Sequence, residues 1–194
     1  MTRPYRKRAR AAQEEETRLR ITEAAIELHG SVGPARTTVS AVAERAGVQR
    51  ATVYRHFPTE ADLFAACTSH WAARNRPPDP TGWTEVRDPG ERLHLALGEL
   101  YGWYGRAGYM LERAARDAPV VESLKPALER TAAYFEAARE ILLAGRPERG
   151  ARRRRVSAAI GHAISLTTWR SLVVEQGLAP AEAVELAAGM ADAA

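Results

Sequence analysis

The chain has a single cysteine, Cys67, so it can form no intrachain disulfide and no cysteine-based metal framework, and a reducing, cytoplasmic setting is expected. It also lacks any apolar run approaching the ~18 residues a membrane span needs. No charged segment followed by an apolar one marks a signal peptide. Catalytic signatures are missing too. The histidines, His29, His56, His70, His94 and His162, are scattered without an HExxH or other i, i+4 pairing, and no GxSxG, phosphate-loop lysine motif or GxGxxG occurs. No catalytic residue, metal or cofactor is therefore expected.

What is present is an ordinary globular composition with its charge unevenly placed. The 194 residues are 45% hydrophobic and 27% charged, enough for a sizeable core. The formal net charge of +4 lies wholly within residues 1–60, where eleven Lys and Arg stand against seven Glu, while the remaining 134 residues hold 17 of each sign. A phosphate-binding segment requires such a footprint; a basic tail that only aids solubility produces the same count.

Residues 1–12, MTRPYRKRARAA, carry five basic residues and almost nothing to bury, which predicts a flexible arm. Such an arm either reaches along a minor groove or stays a solvated tail. From Gln13, Ile21, Ala25 and Leu28 fall at i, i+4 and i+7 behind an acidic start at Glu14–Glu16, which predicts a first helix closed by Gly30 and Gly33-Pro34.

The most informative stretch is Thr37–Phe57, TTVSAVAERAGVQRATVYRHF. Val39, Val42, Ala43 and Ala46 form one helical stripe, Gly47 stands where a left-handed residue would end it, and Val53 and Phe57 share the buried face of the next helix. Ala51, Thr52, Tyr54 and Arg55 then point outward. Two helices around a glycine corner form a helix-turn-helix, whose second helix reads bases in the major groove from its N-terminal end. Gln49 and Arg50 lie at that end, and Arg50 suits a bidentate contact to guanine. Arg55 serves either phosphate or base.

The run from Thr37 to Leu63, with AERAGV, TVYRHFP and an acidic and leucine tail, resembles the DNA-binding segment of the tetracycline-repressor (TetR) family of bacterial regulators. The resemblance covers about Ile21–Leu63 and implies an all-α fold of about nine helices. It implies an N-terminal three-helix DNA-binding domain, residues 13–59 after the arm at 1–12, and a larger ligand-binding and dimerisation domain, residues 60–194. It also implies phosphate contacts from Thr38, Ser40, Thr52, Tyr54 and His56, with Tyr54 alternatively against a thymine methyl. Glu60 stands where lysine is common, Ser40 where arginine often occurs, and His29 where an aromatic ring is usual; His29 reads as a core-edge residue.

Further along, Thr59 caps a fourth helix that runs toward Pro77-Pro78, and residues 75–90 form a proline-rich loop. Leu93, Leu97, Leu100 and Tyr104 stripe a fifth helix over about Glu91–Arg106. Gly98, Gly102, Gly105 and Gly108 make it either soft or closely packed. A short sixth helix over Tyr109–Arg116 and a seventh over Val120–Ala144 follow. An eighth begins near Arg152 and a ninth at Pro180. The eighth carries more apolar residues than one narrow stripe needs and the ninth presents Ala183, Val184, Ala187, Met190 and Ala191, small enough for close helix contact, which predicts one face of the pair on the body and one on a partner; the resemblance likewise implies a homodimer through these helices. Arg152–Arg155 form either a solvated face or a site for an acidic ligand or second DNA contact.

Family members usually hold a small-molecule effector in the body. The large or polar residues placed to meet one are Trp103, Tyr104, Met110, Tyr134, Phe135, His162, Ser165 and Trp169, with His162, Ser165 and Trp169 on one helical face. The function expected is a ligand-responsive regulator, most simply a repressor that binds a pseudo-palindromic operator as a dimer and is released by the ligand. An architectural DNA-binding protein without ligand response and an all-α enzyme or carrier are the alternatives.

Overall fold

A computed structural model describes the backbone from Arg3 to Ala194 and the side chains from Lys7 onward. The described residues are all-α, with no strand among them, and divide into two compact units: one of residues up to Arg74 with 109–127, the other of residues 75–108 with 128–194.

The first unit holds α1 (Arg3–Ser31), α2 (Val39–Arg45), α3 (Arg50–His56) and α4 (Glu60–Arg74). Ile21, Ala24 and Ala25 of α1 pack with Val39, Val42 and Ala43 of α2, Val53 and Phe57 at α3, and Leu63 and Cys67 of α4. Burying a ring such as Phe57 stabilises this core by roughly 2–3 kcal/mol. Cys67 is sealed in it, and burial pushes its thiol up to about 12, so it is unreactive. α4 starts where Thr59 and Asp62 cap each other: the Asp62 N–H donates to Thr59 Oγ1 at 3.1 Å, and the Thr59 N–H donates to the Asp62 carboxylate at 3.0 Å.

The basic arm differs from expectation. Met1 and Thr2 lie outside the described residues, but from Arg3 the segment is continuous with α1. Alanine, arginine and lysine are good helix formers, Pro4 sits in the first turn where its missing N–H costs nothing, and Arg10 pairs with Glu14 one turn on at 3.1 Å. The unit boundary differs as well. α4, read from sequence as part of the second domain, packs on α1 in the first unit.

Helix α5 (Pro89–Asp117) supplies Pro89–Gly108 to the second unit and its last turns, from Tyr109, to the first. Those last turns grip the end of α1. Arg113 Nε donates to the Ser31 carbonyl at 3.0 Å and Arg116 Nη2 to that of Val32 at 2.9 Å, while the Asp117 carboxylate accepts from the Ala35 N–H at 3.0 Å and Arg116 Nε at 2.7 Å. The Arg116 guanidinium holds the buried Asp117 carboxyl below the usual carboxylate range. Gly33 passes beneath with φ +97°, and a Cβ there would collide with Arg116.

The second unit is built from α5 up to Gly108, α6 (Lys125–Leu143) from Leu128 onward, α7 (Gly150–Ala163), α8 (Leu166–Trp169), a π-helical stretch (Arg170–Glu175) and α9 (Pro180–Asp192). The glycines of α5 do not divide it into the two helices expected: Leu93, Ala96, Leu97, Leu100, Tyr101 and Tyr104 form a buried stripe that outweighs a cost of about 1 kcal/mol per glycine. Gly108 is the closely packed one, since a Cβ there would stand 3.0 Å from the Trp169 ring. α6 begins at Lys125 instead of Val120 because Pro126 fits only the first turn; Glu122–Leu124 form a 3-10 turn before it. The expected eighth helix is broken at Ser165, which caps α8 by accepting from the Thr168 N–H at 3.2 Å. The loop after α4 contains a 3-10 turn, Pro80–Glu85, with Trp83 buried in the unit.

Candidate nucleic-acid interface

The corner between α2 and α3 is built as its sequence suggests. Thr38 caps α2 by accepting from the Ala41 N–H at 3.2 Å, and its hydroxyl proton remains free to donate. Gly47 has φ +64°, and the amides of Gly47 and Val48 return to the carbonyls of Glu44 at 3.1 Å and Ala43 at 2.9 Å. These are the paired bonds of a Schellman turn, with Val48 packed on the core. The chain leaves α2 at a fixed angle and enters α3 at once.

On α3, Val53 and Phe57 face inward while Gln49, Arg50, Tyr54 and Arg55 are exposed. Among the described residues none of these four has a hydrogen-bonding or ion-pairing partner for its side chain. Thr38 and Ser40 are exposed on α2, and Thr52 is half-buried on α3. His56 is different: it is half-buried, and its Nε2 is enclosed with no partner among the described residues, so that nitrogen does not face outward. Seven of the eight expected contact residues thus reach the surface of one motif at least in part, and His56 sits at its inner edge.

Local spacing did not reveal what holds α3 from behind. Arg18, on α1, donates from Nη1 to the His56 carbonyl at 2.9 Å and lays its guanidinium 4.3 Å from the centre of the Phe57 ring. Arg45 pairs with Glu27 at 3.5 Å. Part of the basic excess of this segment is therefore spent inside the domain, and Arg50 and Arg55 carry the unpaired charge of α3. His29 stacks obliquely on Phe64 at 5.4 Å, and burial lowers its pKa to about 4 against the opposing pull of Asp117. It is a neutral core-edge ring.

The candidate effector residues fall in two places. In the second unit, Trp103, Tyr104, Phe135, Tyr134 and Trp169 form one aromatic cluster. Ring centres stand 5.3 Å apart for Trp103 and Tyr104, 5.8 Å for Tyr104 and Trp169, and 5.0 Å for Tyr134 and Phe135. The polar ends of three of these rings are already engaged. Tyr104 donates to the Ile164 carbonyl at 2.6 Å, Trp103 to that of Asn75 at 3.0 Å and Tyr134 to that of Pro78 at 3.0 Å, with Tyr101 beside them donating to the Ala163 carbonyl at 3.0 Å. His162 does not join: it is exposed, and the break at Ser165 removes the single face it was expected to share with Trp169. Ser165 is committed to its cap, and Met110 belongs to the first unit. Among the described residues no group of His, Cys, Asp and Glu is arranged to hold a metal ion, and no helix is long and apolar enough to cross a membrane.

A helix-turn-helix with an exposed polar second helix, carried on an all-α chain, defines the class: a DNA-binding domain of bacterial-regulator type. Residues 21–67 match the model of the bacterial regulatory proteins of the tetR family, so this segment is similar to the DNA-binding part of those regulators. The chain is 34% identical over 89 residues to the HTH-type transcriptional repressor KstR of Rhodococcus jostii, covering 45% of this chain and 40% of that protein. It is 41% identical over 59 residues to the HTH-type transcriptional regulator SrpR of Pseudomonas putida, covering 30% and 28%. The matched part thus spans less than half the length of these curated relatives. Among solved structures, NalD, the secondary repressor of the MexAB-OprM multidrug efflux pump in Pseudomonas aeruginosa, superposes with a TM-score of 0.62 at 26% identity, covering 94% of this chain and 96% of that one.

Proposed function

We propose that the chain is a cytoplasmic transcriptional repressor that binds a pseudo-palindromic DNA operator as a homodimer and leaves it when a small-molecule effector binds. The observation that carries this reading is the row of exposed, unpartnered side chains on α3, Gln49, Arg50, Tyr54 and Arg55, presented just after the Schellman turn that closes α2. Phosphate contacts from Thr38, Ser40, Thr52 and Tyr54 set the register, and Arg50 reads guanine. Exposed apolar residues near the end of the chain, Val174 at 60%, Leu186 at 45% and Met190 at 46%, support a partner copy there. The repressor relatives support the direction of control.

The effector reading rests on the aromatic cluster. Because the donors of Trp103, Tyr104 and Tyr134 are matched to backbone carbonyls, it favours a largely apolar, flat compound that uses ring faces. Release then follows from the effector's greater affinity for a dimer whose reading helices are wrongly spaced for successive major grooves.

Selection of bound sequences from a random duplex pool tests the proposal, with a palindromic consensus of half-sites about one helical turn or more apart as the expected result. Retention without sequence preference, falling steeply with salt, would instead mark an architectural protein. On the selected operator, Arg50→Ala should cost about 1–3 kcal/mol and relax choice at one base pair. A uniform loss across all sequences would contradict base reading.

A further inference from the structure

Arg18 belongs by count to the basic excess of the reading domain, yet its side chain turns inward. It is half-buried one turn before Ile21, a residue with no exposed surface in the core shared by α1 and α3. Its Nη1 donates to the His56 carbonyl at 2.9 Å, and its guanidinium lies 4.3 Å from the centre of the Phe57 ring. His56 is the last residue of α3, and Phe57 closes the helix by donating its N–H to the Val53 carbonyl at 2.8 Å. The carbonyls beyond Val53 have no helical donor, and Pro58 has no N–H to offer. A cation there meets the negative end of the helix and an aromatic face together.

This fastening lies opposite the exposed Gln49 and Arg50. A helix of this length spans about 10 Å, so a tilt of roughly 10° about its far end displaces the near end by nearly 2 Å. A bidentate base contact does not survive such a shift. We propose that Arg18 is the positioning residue of the reading helix: it spends its charge within the domain, sets the angle at which α3 is presented, and contacts no phosphate. The proposal rests on the reading of α3 as the DNA-reading helix.

The test uses the full chain with Arg18→Met, which keeps the aliphatic stem, and Arg18→Lys, which keeps the charge. Arg18→Met should bind the selected operator about tenfold more weakly, while its affinity for unrelated duplex and its salt slope stay as in the parent protein. Amide exchange at Phe57 in the free protein should quicken by about the same factor, and Arg18→Lys should restore only part of either property because an ammonium does not cover the ring. A phosphate contact predicts the opposite pattern: equal loss on all DNA, a salt slope shallower by about one, and full rescue by lysine. That result, unchanged operator affinity or unchanged Phe57 exchange would overturn the proposal. If Arg18→Met does not fold, Arg18→Lys decides the same points alone. If the parent protein selects no operator, the DNA-reading assignment fails by itself, and Phe57 exchange still decides whether Arg18 fastens α3.

Discussion

On α3 of the first unit, Gln49, Arg50, Tyr54 and Arg55 stand out without intramolecular partners, whereas in the second unit Tyr101, Trp103, Tyr104 and Tyr134 each give their polar end to a backbone carbonyl. A free polar side chain at the surface keeps its water until a partner replaces it, so it can be reserved for recognition at little cost. A buried donor cannot wait in this way, since leaving it unmatched costs about 1–3 kcal/mol. The first unit therefore displays its chemistry, and the second has used most of its own to hold itself together. A ligand of the second unit must use ring faces or displace one of these bonds.

The largest expected effect tests the first unit. Phe57 is only 1% exposed, so Phe57→Ala should lower stability by about 3–5 kcal/mol, read in a denaturant melt, with amide protection lost first in α2 and α3. Retained protection there would mean that the anchor of α3 lies elsewhere.

Next comes the buried cation of the second unit. Arg92 donates to the carbonyls of Val86 at 2.9 Å, Ile141 at 3.1 Å and Ala144 at 2.7 Å, closing the end of α6. Arg92→Met should destabilise by about 2–3 kcal/mol in a urea melt and leave the DNA consensus unchanged, because this charge is structural. A changed consensus would break the division between displayed and committed groups.

The effect that is smallest at neutral pH concerns protonation. Burial holds His29 at about 4, below its ordinary 6.5. The folded state thus resists protonation that the unfolded chain accepts. The contribution is complete above about pH 6.5 and is lost progressively as pH falls toward 4. His29→Phe should flatten that part of the pH dependence of the unfolding midpoint. An NMR titration showing His29 protonating near 6.5 would remove the effect.

The helix-turn-helix was legible because each of its signals is local. The stripe of Val39, Val42, Ala43 and Ala46, the left-handed Gly47 and the caps at Thr38 and Thr59 all act within a few residues. Two local signals elsewhere were readable and missed. Pro126 marks the start of α6, and Ser165 with Thr168 marks the break after α7, where Thr168 Oγ1 also donates to the His162 carbonyl at 2.6 Å. The extension of α1 back to Arg3 reflects helix propensity that a net-charge reading overrode.

Periodicity, capping residues and charge distribution, which need only neighbours along the chain, determined the all-α class, the glycine corner and the outward residues of α3. Tertiary structure alone decided how charges and hydroxyls were spent. Arg18 reaches His56 across 38 residues, and Tyr101 and Tyr104 reach the end of α7 across 62 and 60. Nothing in a local window shows which carbonyl an arginine or tyrosine will meet, because that depends on which helix ends packing brings beside it.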